Sequence, residues 1–322
     1  MSRPVTVEEA AALLRQADDI LILMHQYPDG DTIGCGYALA RALQGLGKRV
    51  AARCCDPIPP KYDYLTDGVE FPHFTPRFIC PVDVADPKLL GSLAEPGRQA
   101  DLCVDHHGTN VGYADALLLD ASCGAAAMVV ARLIDALGVP LDRYLAECLY
   151  TGLATDTGCF KYPSTTPEAH LLAARLLEAG VRHGMINERM FDRKSRARLE
   201  LEKLALASIR YAYGGRCAVM TVTNEMVAAS GATEEDMDGL APIPRQIEGV
   251  WVGITLRQKP GGAFKVSIRT GGGVNAVAIA ARFNGGGHPG AAGCEIAGTG
   301  EKAADALIAA VGEAVPGIRE EI

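Results

Sequence analysis

The first half of the chain alternates short apolar runs with helical patterns. Residues 20–24 (ILILM) form an apolar run that predicts a buried strand, residues 32–46 follow with a helical pattern that Gly45 and Gly47 close, and residues 49–54 predict the next strand. Further strands are predicted at residues 78–82, 102–104 and 117–119, and further helices at 87–94, 124–137 and 141–153. This alternation is typical of β-α-β units, so we expect a mainly parallel sheet flanked by helices.

The pattern changes in the second half. Residues 167–211 are helical in pattern and end in a charged stretch, and strand-like runs then follow at 217–222, 250–256 and 264–269, with helices at 274–283 and 301–315. The turn sequence KPGG at 259–262 joins the last two strands. We therefore predict an α/β fold with two domains: residues 1–190 with the parallel sheet, a connecting helix over 191–212, and a smaller α/β domain over 213–322.

Composition and charge narrow the classes of function. There are 31 Lys and Arg against 39 Asp and Glu, a net charge of −8, which argues against coating of a long nucleic-acid duplex. A small phosphate substrate would need bound metal or local positive charge. No apolar stretch reaches membrane-spanning length and the N-terminus is acidic, so we expect a cytoplasmic protein without a membrane partner.

Acids and histidines follow the predicted strands of the first domain. His25, Asp29 and Asp31 come directly after the first strand, Asp83 follows the run at 78–82, and Asp105-His106-His107 follows the run at 102–104. Open α/β sheets place their sites at the carboxyl ends of strands. Charged groups at buried strand ends are costly unless they are paired or bind a cation, so a shared metal site explains all three groups.

Asp156 adds a fourth group, after the helical stretch at 141–153. Taken singly, each group also fits an ordinary turn or a helix cap, and Asp86 fits the cap before Pro87 better than Asp83 does. Carboxylate and imidazole ligands without thiolate suit Mn²⁺, Mg²⁺, Fe²⁺ or Co²⁺ better than a structural zinc. Two such ions can activate water and clamp a phosphoryl group, so phosphoester hydrolysis is the expected reaction class.

Two features outside this cluster could bind phosphate. Gly285-Gly286-Gly287-His288 offers backbone N–H groups and an imidazole, although a glycine-rich turn that only lets elements pack has the same sequence. The basic residues between 189 and 198 could bind a second phosphate or form a solvated helix face. Those basic residues are Arg189, Arg193, Lys194, Arg196 and Arg198.

The ordered set of motifs resembles the DHH phosphoesterases with their DHH-associated C-terminal domain (DHHA1), over nearly the whole chain. The two-domain length is most similar to the nano-RNase (oligoribonuclease) and pAp phosphatase group. The resemblance implies a manganese-dependent hydrolase that acts as an exonuclease on very short single-stranded oligoribonucleotides, and that converts the small phosphonucleotide 3′-phosphoadenosine 5′-phosphate (pAp) to AMP. It implies nucleic acid binding confined to such short chains.

The resemblance also implies roles for individual residues. One metal would be held by His25, Asp29 and Asp83, and the other by Asp31, Asp83, His106 and Asp156. Asp83 would bridge the two, His107 would face the scissile phosphate, and Asp105 would orient the histidine pair. The substrate would be bound from the second domain by His288 with Gly285, Gly286 and Gly287, and by Arg269.

Other functions remain open at this point. Relatives that cleave cyclic-di-AMP or pApA share the metal motifs, and a non-catalytic nucleotide-binding sensor could use the same scaffold. RecJ exonucleases are usually longer, and a family II pyrophosphatase would lack the Gly-Gly-Gly-His run. The sequence does not decide the substrate length, the cleavage polarity, the physiological metal, or whether the chain is a monomer or a homodimer.

Overall fold

Two units divide the chain, with the boundary between Arg193 and Lys194. The computed structural model describes residues 2–237 and 239–319. Each unit has a hydrophobic core of its own. In the part of the chain that is described, no helix is both long enough and apolar enough to span a membrane.

Six short strands form the sheet structure of the first unit. They are β1 (Arg3–Pro4), β2 (Ile20–Leu23), β3 (Val50–Arg53), β4 (Phe78–Pro81), β5 (Leu102–Asp105) and β6 (Ala116–Leu119). The orders β3-β2-β4 and β1-β6-β5 are both parallel, and one parallel pairing, Val82 with Val104, joins β4 to β5. The predicted parallel sheet is confirmed, and its strands end at one common edge.

Among the described residues of the first unit, eight helices accompany this sheet. They are α1 (Val7–Gln16), α2 (Gly30–Gly45), α3 (Asp63–Thr66), α4 (Ala94–Gly97), α5 (Ala126–Leu137), α6 (Arg143–Asp156), α7 (Pro167–Glu178) and α8 (His183–Asn187). Short 3₁₀ turns lie at Pro60–Tyr62 and Pro87–Leu93, and a π turn lies at Glu188–Asp192. The prediction of an α-helix at 87–94 was wrong. The segment is a 3₁₀ turn, which Gly91 interrupts with a φ of +56°.

The backbones of α2 and α6 approach closely, and glycine makes that approach possible. A Cβ on Gly34 would lie 2.2 Å from the backbone oxygen of Cys148, and a Cβ on Gly30 would lie 2.4 Å from the Thr155 hydroxyl. Real side chains do not tolerate such distances, so both positions require glycine. This contact brings the first turn of α2 beside the last turn of α6, where Asp31 and Asp156 lie.

The second unit is built around one six-stranded mixed sheet. In chain order its elements are α9 (Arg196–Ala207), β7 (Arg210–Ala212), β8 (Cys217–Val222), α10 (Asn224–Ser230), β9 (Val252–Gln258), β10 (Phe264–Thr270), α11 (Ala276–Ala280), β11 (Gly286–His288), β12 (Ala291–Ile296) and α12 (Gly300–Ala314). Three 3₁₀ turns lie at Glu235–Met237, Ile243–Gln246 and Ala281–Phe283. The strand order is β11-β12-β10-β9-β8-β7, and only β8 and β9 run parallel.

Two regions of the second half differ from the sequence pattern. The predicted connecting helix over 191–212 is not continuous, because residues 193–195 separate the π turn from α9 and α9 ends before β7. Helix α9 lies in the second unit. The glycine-rich run near 286 is not a loop, because Gly286–His288 pairs with β12 as an edge strand. Gly286–His288 is short and consists mostly of glycine, and such a segment carries little hydrophobic pattern.

Candidate metal centre

The carboxyl ends of three strands bring the predicted ligands together. His25 follows β2, Asp83 follows β4, and His106 and His107 follow β5, while α2 and α6 contribute the other acids. Three overlapping groups have ligand atoms within 4.8 Å of one another. The groups are His25 with Asp29 and Asp83, Asp31 with His106 and Asp156, and Asp83 with His106 and His107. All six residues predicted as metal ligands therefore lie in one cluster.

Asp83 lies between the two histidines. Its Oδ2 atom is 3.7 Å from His25 Nε2, and its Oδ1 atom is 3.6 Å from His106 Nε2. Each carboxylate oxygen thus faces a different imidazole. This is the arrangement that a carboxylate bridging two cations requires.

The remaining acids fall on either side of Asp83. Asp29 Oδ1 is 3.5 Å from His25 Nε2. On the other side, His106 Nε2 lies 3.3 Å from Asp156 Oδ2 and 4.0 Å from Asp31 Oδ2. The cluster therefore divides into two sets of ligand atoms that share Asp83.

Backbone carbonyls orient both imidazoles. His25 Nδ1 lies 2.8 Å from the Gln26 carbonyl oxygen, and His106 Nδ1 lies 3.1 Å from the Cys123 carbonyl oxygen. An N–H must sit on Nδ1 in each contact, so the lone pair of each neutral ring is on Nε2 and points at the carboxylates. This is the second contact that ligating histidines usually make.

The polar atoms at the centre fit a cation. Asp83 Oδ1 and His106 Nε2 are buried, and neither has a hydrogen-bond partner among the described residues. Two electron-rich atoms that are buried without a donor are unfavourable, and a bound cation would satisfy both. The donor atoms are carboxylate oxygens and imidazole nitrogens, which suit Mn²⁺, Mg²⁺ and related divalent ions.

The backbone at Asp83 is strained. Its φ is +58°, in the left-handed region that non-glycine residues seldom adopt. The Asp83 N–H donates to the Val104 carbonyl oxygen at 2.9 Å, which ties this turn to β5. Strain of this kind is concentrated at functional sites, where the surrounding structure holds the residue in place.

Asp31 is fully buried and caps a helix other than its own. Helix α5 begins after Ala125, which has no capping side chain, and the Asp31 carboxylate accepts hydrogen bonds from the N–H groups of Ala126 and Ala127 at 2.5 and 2.9 Å. The positive end of the helix dipole lies at the same place. A Cβ on Gly152 would lie 2.5 Å from Asp31 Oδ1, so glycine at 152 leaves the space that this carboxylate needs.

Hydrogen bonds from the neighbouring histidines and from Asn110 engage both oxygens of the Asp105 carboxylate. Its Oδ1 atom accepts hydrogen bonds from the His106 N–H, the His107 N–H and His107 Nδ1, and its Oδ2 atom accepts one from Asn110 Nδ2 at 2.6 Å. It therefore positions the two histidines. Asn110 was not predicted from the sequence, although its place five residues after Asp105 in DHHGTN is a signal that could have indicated it.

The protonation of the cluster follows from burial and repulsion. Burial, followed by the charges of Asp83, Asp156 and Asp29, raises the pKa of Asp31 well above its ordinary value. Burial also raises the pKa of Asp83. Burial and the Asp83 charge raise the pKa of Asp156 to about 6, against the attraction of His106. A divalent cation would reverse these shifts by favouring the carboxylates.

The histidines respond in the opposite direction. Burial disfavours the charged form of His25, but Asp29 and Asp83 outweigh it and raise the pKa of His25 to about 11. The hydrogen bond that His107 donates to the Asp105 carboxylate, against burial, raises the pKa of His107 to about 9. His107 is half-exposed, so at neutral pH it offers solvent-facing positive charge beside the acids.

The residues predicted to bind substrate all lie in the second unit. Arg269 is on β10, and His288 is exposed on the edge strand β11. Close backbone packing accounts for two of the three glycines, since a Cβ on Gly285 would lie 2.2 Å from the Gly293 carbonyl oxygen and one on Gly287 would lie 2.5 Å from that of Ala291. Gly286 has open space around it. Their role in binding stays a prediction.

The basic residues between 189 and 198 pair mainly with nearby acids. Arg189 pairs with Asp63, and Arg193 Nε lies 3.5 Å from Glu188. Glu202 receives both Lys194, at 2.9 Å, and Arg198, at 3.4 Å. These pairs do not leave a concentrated positive charge.

Comparisons with known proteins match both halves of the chain. Residues 19–153 match the model of the DHH family, N-terminal domain, and residues 214–316 match the DHHA1 domain. The bifunctional oligoribonuclease and PAP phosphatase NrnA of Thermus thermophilus is 37% identical over 286 residues, which cover 87% of this chain and 84% of that protein.

Two solved structures share the fold. The structure of an exopolyphosphatase-related protein from Bacteroides fragilis has a TM-score of 0.85 at 25% identity and covers 98% of each chain. RecJ from Thermus thermophilus in complex with Mn²⁺ has a TM-score of 0.53 at 18% identity, over 95% of this chain and 54% of that one. On the two family matches and the NrnA relative, the chain belongs to the DHH/DHHA1 family of metal-dependent phosphoesterases.

Proposed function

We propose that this protein uses two divalent metal ions, Mn²⁺ foremost, to hydrolyse very short oligoribonucleotides to mononucleotides and pAp to AMP. The observation that carries the proposal is the pair of buried atoms without partners, Asp83 Oδ1 and His106 Nε2, at the point where the two ligand sets meet. The name of the Thermus thermophilus relative, a bifunctional oligoribonuclease and PAP phosphatase, supports the choice of substrates.

The residues present fit two ions. His25, Asp29 and Asp83 would hold one, and Asp31, Asp83, His106 and Asp156 would hold the other. Bound there, the ions would neutralise phosphate charge and supply an activated water as the nucleophile. Asp83 would keep both at a fixed separation because its two oxygens face different histidines.

His107 and Asp105 supply the remaining catalytic chemistry. Asp105 accepts from His107 Nδ1 at 2.8 Å, which fixes the ring and favours its protonated form. A protonated His107 stabilises negative charge on the phosphoryl oxygens and can give its proton to the leaving oxygen. In the second unit, we propose that His288, Gly285, Gly286, Gly287 and Arg269 bind the substrate.

A substrate panel tests the proposed function. Purified protein with Mn²⁺ is incubated with 5′-labelled di-, tri- and longer oligoribonucleotides, pAp, cyclic-di-AMP, pApA and pyrophosphate, and a chelated sample serves as the control. We expect metal-dependent release of mononucleotides that is fastest from the shortest RNAs, together with hydrolysis of pAp.

Each other result has a definite meaning. A clear preference for cyclic-di-AMP or pApA would move the protein to the turnover of cyclic dinucleotides. Binding of nucleotides without hydrolysis of any compound would support a sensor instead. Activity that survives complete chelation would remove the metal-based mechanism.

A further inference from the structure

Arg245 lies against the end of the second sheet in space that two glycines leave open. It belongs to the 3₁₀ turn Ile243–Gln246. A Cβ on Gly253 would lie 2.4 Å from Arg245 N, and a Cβ on Gly271 would lie 2.0 Å from Arg245 Nη2. The main chain of Arg245 therefore lies over Gly253, and its guanidinium group lies beside Gly271.

The sheet register places Arg269 next to this group. Arg269 is paired with Gly253 on one side and with Ala291 on the other, and Ala291 is paired with His288. Directly paired residues project from the same face of a sheet. His288, Arg269 and the position over Gly253 thus form one row, and strands are about 4.8 Å apart. Arg245 belongs to this row because its main chain lies over Gly253.

Neither arginine has an acidic partner. Among residues 2–237 and 239–319, no carboxylate forms an ion pair with Arg245 or Arg269, and Arg245 Nε is buried without a hydrogen-bond partner. Arg269 Nη1 donates only to the neighbouring Ile268 carbonyl oxygen. Arg257 on β9 differs, since it pairs with Glu234, and Lys259 in the turn after β9 pairs with Glu295.

The Arg245 guanidinium lies beside Gly271, two residues after Arg269 on the same stretch of chain, and two arginines placed in this way without a counter-charge favour an anion. Guanidinium donors match phosphate oxygens in a bidentate geometry, and such bonds are stronger than neutral ones. A buried N–H donor without an acceptor is costly, and a phosphate oxygen would satisfy it. Ala291 is small, so the row has room between Arg269 and His288.

We propose that Arg245 acts with Arg269 to bind a terminal phosphate of the substrate that is not the phosphate undergoing hydrolysis. This inference rests on the proposed function for the identity of the substrate. It makes Arg245, which lies outside every motif of the family resemblance, a residue that determines preference for phosphorylated ends.

A substrate comparison tests Arg245→Gln. Diribonucleotides with a terminal phosphate, at the 5′ or the 3′ end, are compared with the same dinucleotide without one. We expect KM for at least one phosphorylated form to rise about tenfold or more, as for loss of a charge-assisted hydrogen bond. KM for the unphosphorylated form and both kcat values should change less than twofold.

The matched control is Arg257→Gln, which removes the same charge from the neighbouring strand β9 where Glu234 already neutralises it. It should leave the ratio of the KM values unchanged. If Arg245→Gln changes KM equally for all the dinucleotides, or for none, the inference is wrong. The ratio also separates this role from a general loss of folded protein, which would affect every substrate alike.

A binding measurement separates this inference from the proposed function. Chelated protein is titrated with inorganic pyrophosphate by calorimetry. Without metal, the carboxylates around Asp83 repel the anion, so they do not contribute to the binding that is measured. We expect wild type and Arg257→Gln to bind alike and Arg245→Gln to bind about tenfold more weakly. If wild type hydrolyses none of the substrates but this difference remains, the proposed function fails and the anion site stands. Equal binding by all three proteins would overturn the site.

Discussion

Two regions of the molecule are dense in charged residues: the basic residues between 189 and 198, and the acid cluster of the first unit, which consists of His25, Asp29, Asp31, Asp83, His106 and Asp156. The two regions differ in what neutralises their charge. Arg193 and Lys194 have carboxylates of the same region within 4.0 Å. At the acid cluster, by contrast, Asp83 Oδ1 and His106 Nε2 are buried without a hydrogen-bond partner in the described part of the chain. A charge cluster that contains its own counter-ions is complete, whereas one with buried unpaired atoms needs a ligand.

The largest effect is expected from Asp83→Asn, which tests the unpaired side of this comparison. Asparagine keeps the shape and tolerates a positive φ, but it removes the charge that both ligand sets share. We expect kcat/KM with Mn²⁺ to fall by about 10³-fold or more and fewer bound ions per chain. Metal analysis and steady-state hydrolysis check this. Normal activity with two bound ions would remove the bridging role.

A smaller effect is expected from Gly152→Ala, which disturbs the cluster without removing a ligand. The new Cβ would lie 2.5 Å from Asp31 Oδ1, so the carboxylate must move away from the N-terminus of α5. A displacement of this kind can lower activity by about 10²-fold. Gly45→Ala, in the same helix as Asp31 and with nothing within 4 Å, is the control and should keep full activity. Equal activity of both variants would contradict the expectation.

The acid cluster should also couple metal binding to pH. The pKa of Asp156 is about 6 without metal, so protons compete with the cation below that pH. We expect Mn²⁺ affinity to fall by up to about tenfold for each pH unit below 6. Calorimetry in two buffers should show more protons released per Mn²⁺ at pH 5.5 than at pH 7.5.

The raised pKa of Asp156 also makes the stability of the metal-free protein depend on pH. The folded-state pKa of Asp156 is raised, so the metal-free folded protein binds more protons than the unfolded chain between about pH 4 and 6. The contribution of Asp156 to stability therefore decreases as pH rises through that window.

The variant Asp156→Asn tests the pH dependence of metal binding. In this variant the change of Mn²⁺ affinity near pH 6 should disappear, and its persistence would assign the titration to another group.

The smallest effect is expected on the paired side, from Arg193→Gln. Its pair with Glu188 is exposed, and exposed pairs contribute about 0–1 kcal/mol. We expect hydrolysis of a diribonucleotide to change less than twofold and the free energy of unfolding by less than about 1 kcal/mol. Thermal denaturation and an activity assay are sufficient. A tenfold rise in KM would show that the region between 189 and 198 contacts substrate.

The strand-end residues were predictable because their signal is local. His25, Asp83 and Asp105 each follow an apolar run directly, and parallel strands end at a common edge. The contacts that orient them were not predictable. The carbonyl oxygens of Gln26 and Cys123 direct the two imidazoles, and backbone carbonyls leave no mark in a sequence.

The second unit shows where local patterns fail. Gly253 and Gly271 look like ordinary strand and loop glycines, yet the space beside them is filled by Arg245 from a separate turn. The run Gly286–His288 reads as a loop but pairs as an edge strand. In the first case the deciding partner is the turn Ile243–Gln246, and in the second it is the strand that follows, Ala291–Ile296.

The sequence by itself determined the alternating elements of the first unit, the family resemblance and the identity of every residue in the acid cluster. Hydrophobic periodicity and strand-end chemistry are properties of neighbouring residues, so they can be read along the chain. Tertiary structure decided that Asp31 caps α5, that Asp83 faces two histidines, and that Arg245 lies beside Gly271. These depend on distances between segments far apart in sequence, which only packing sets.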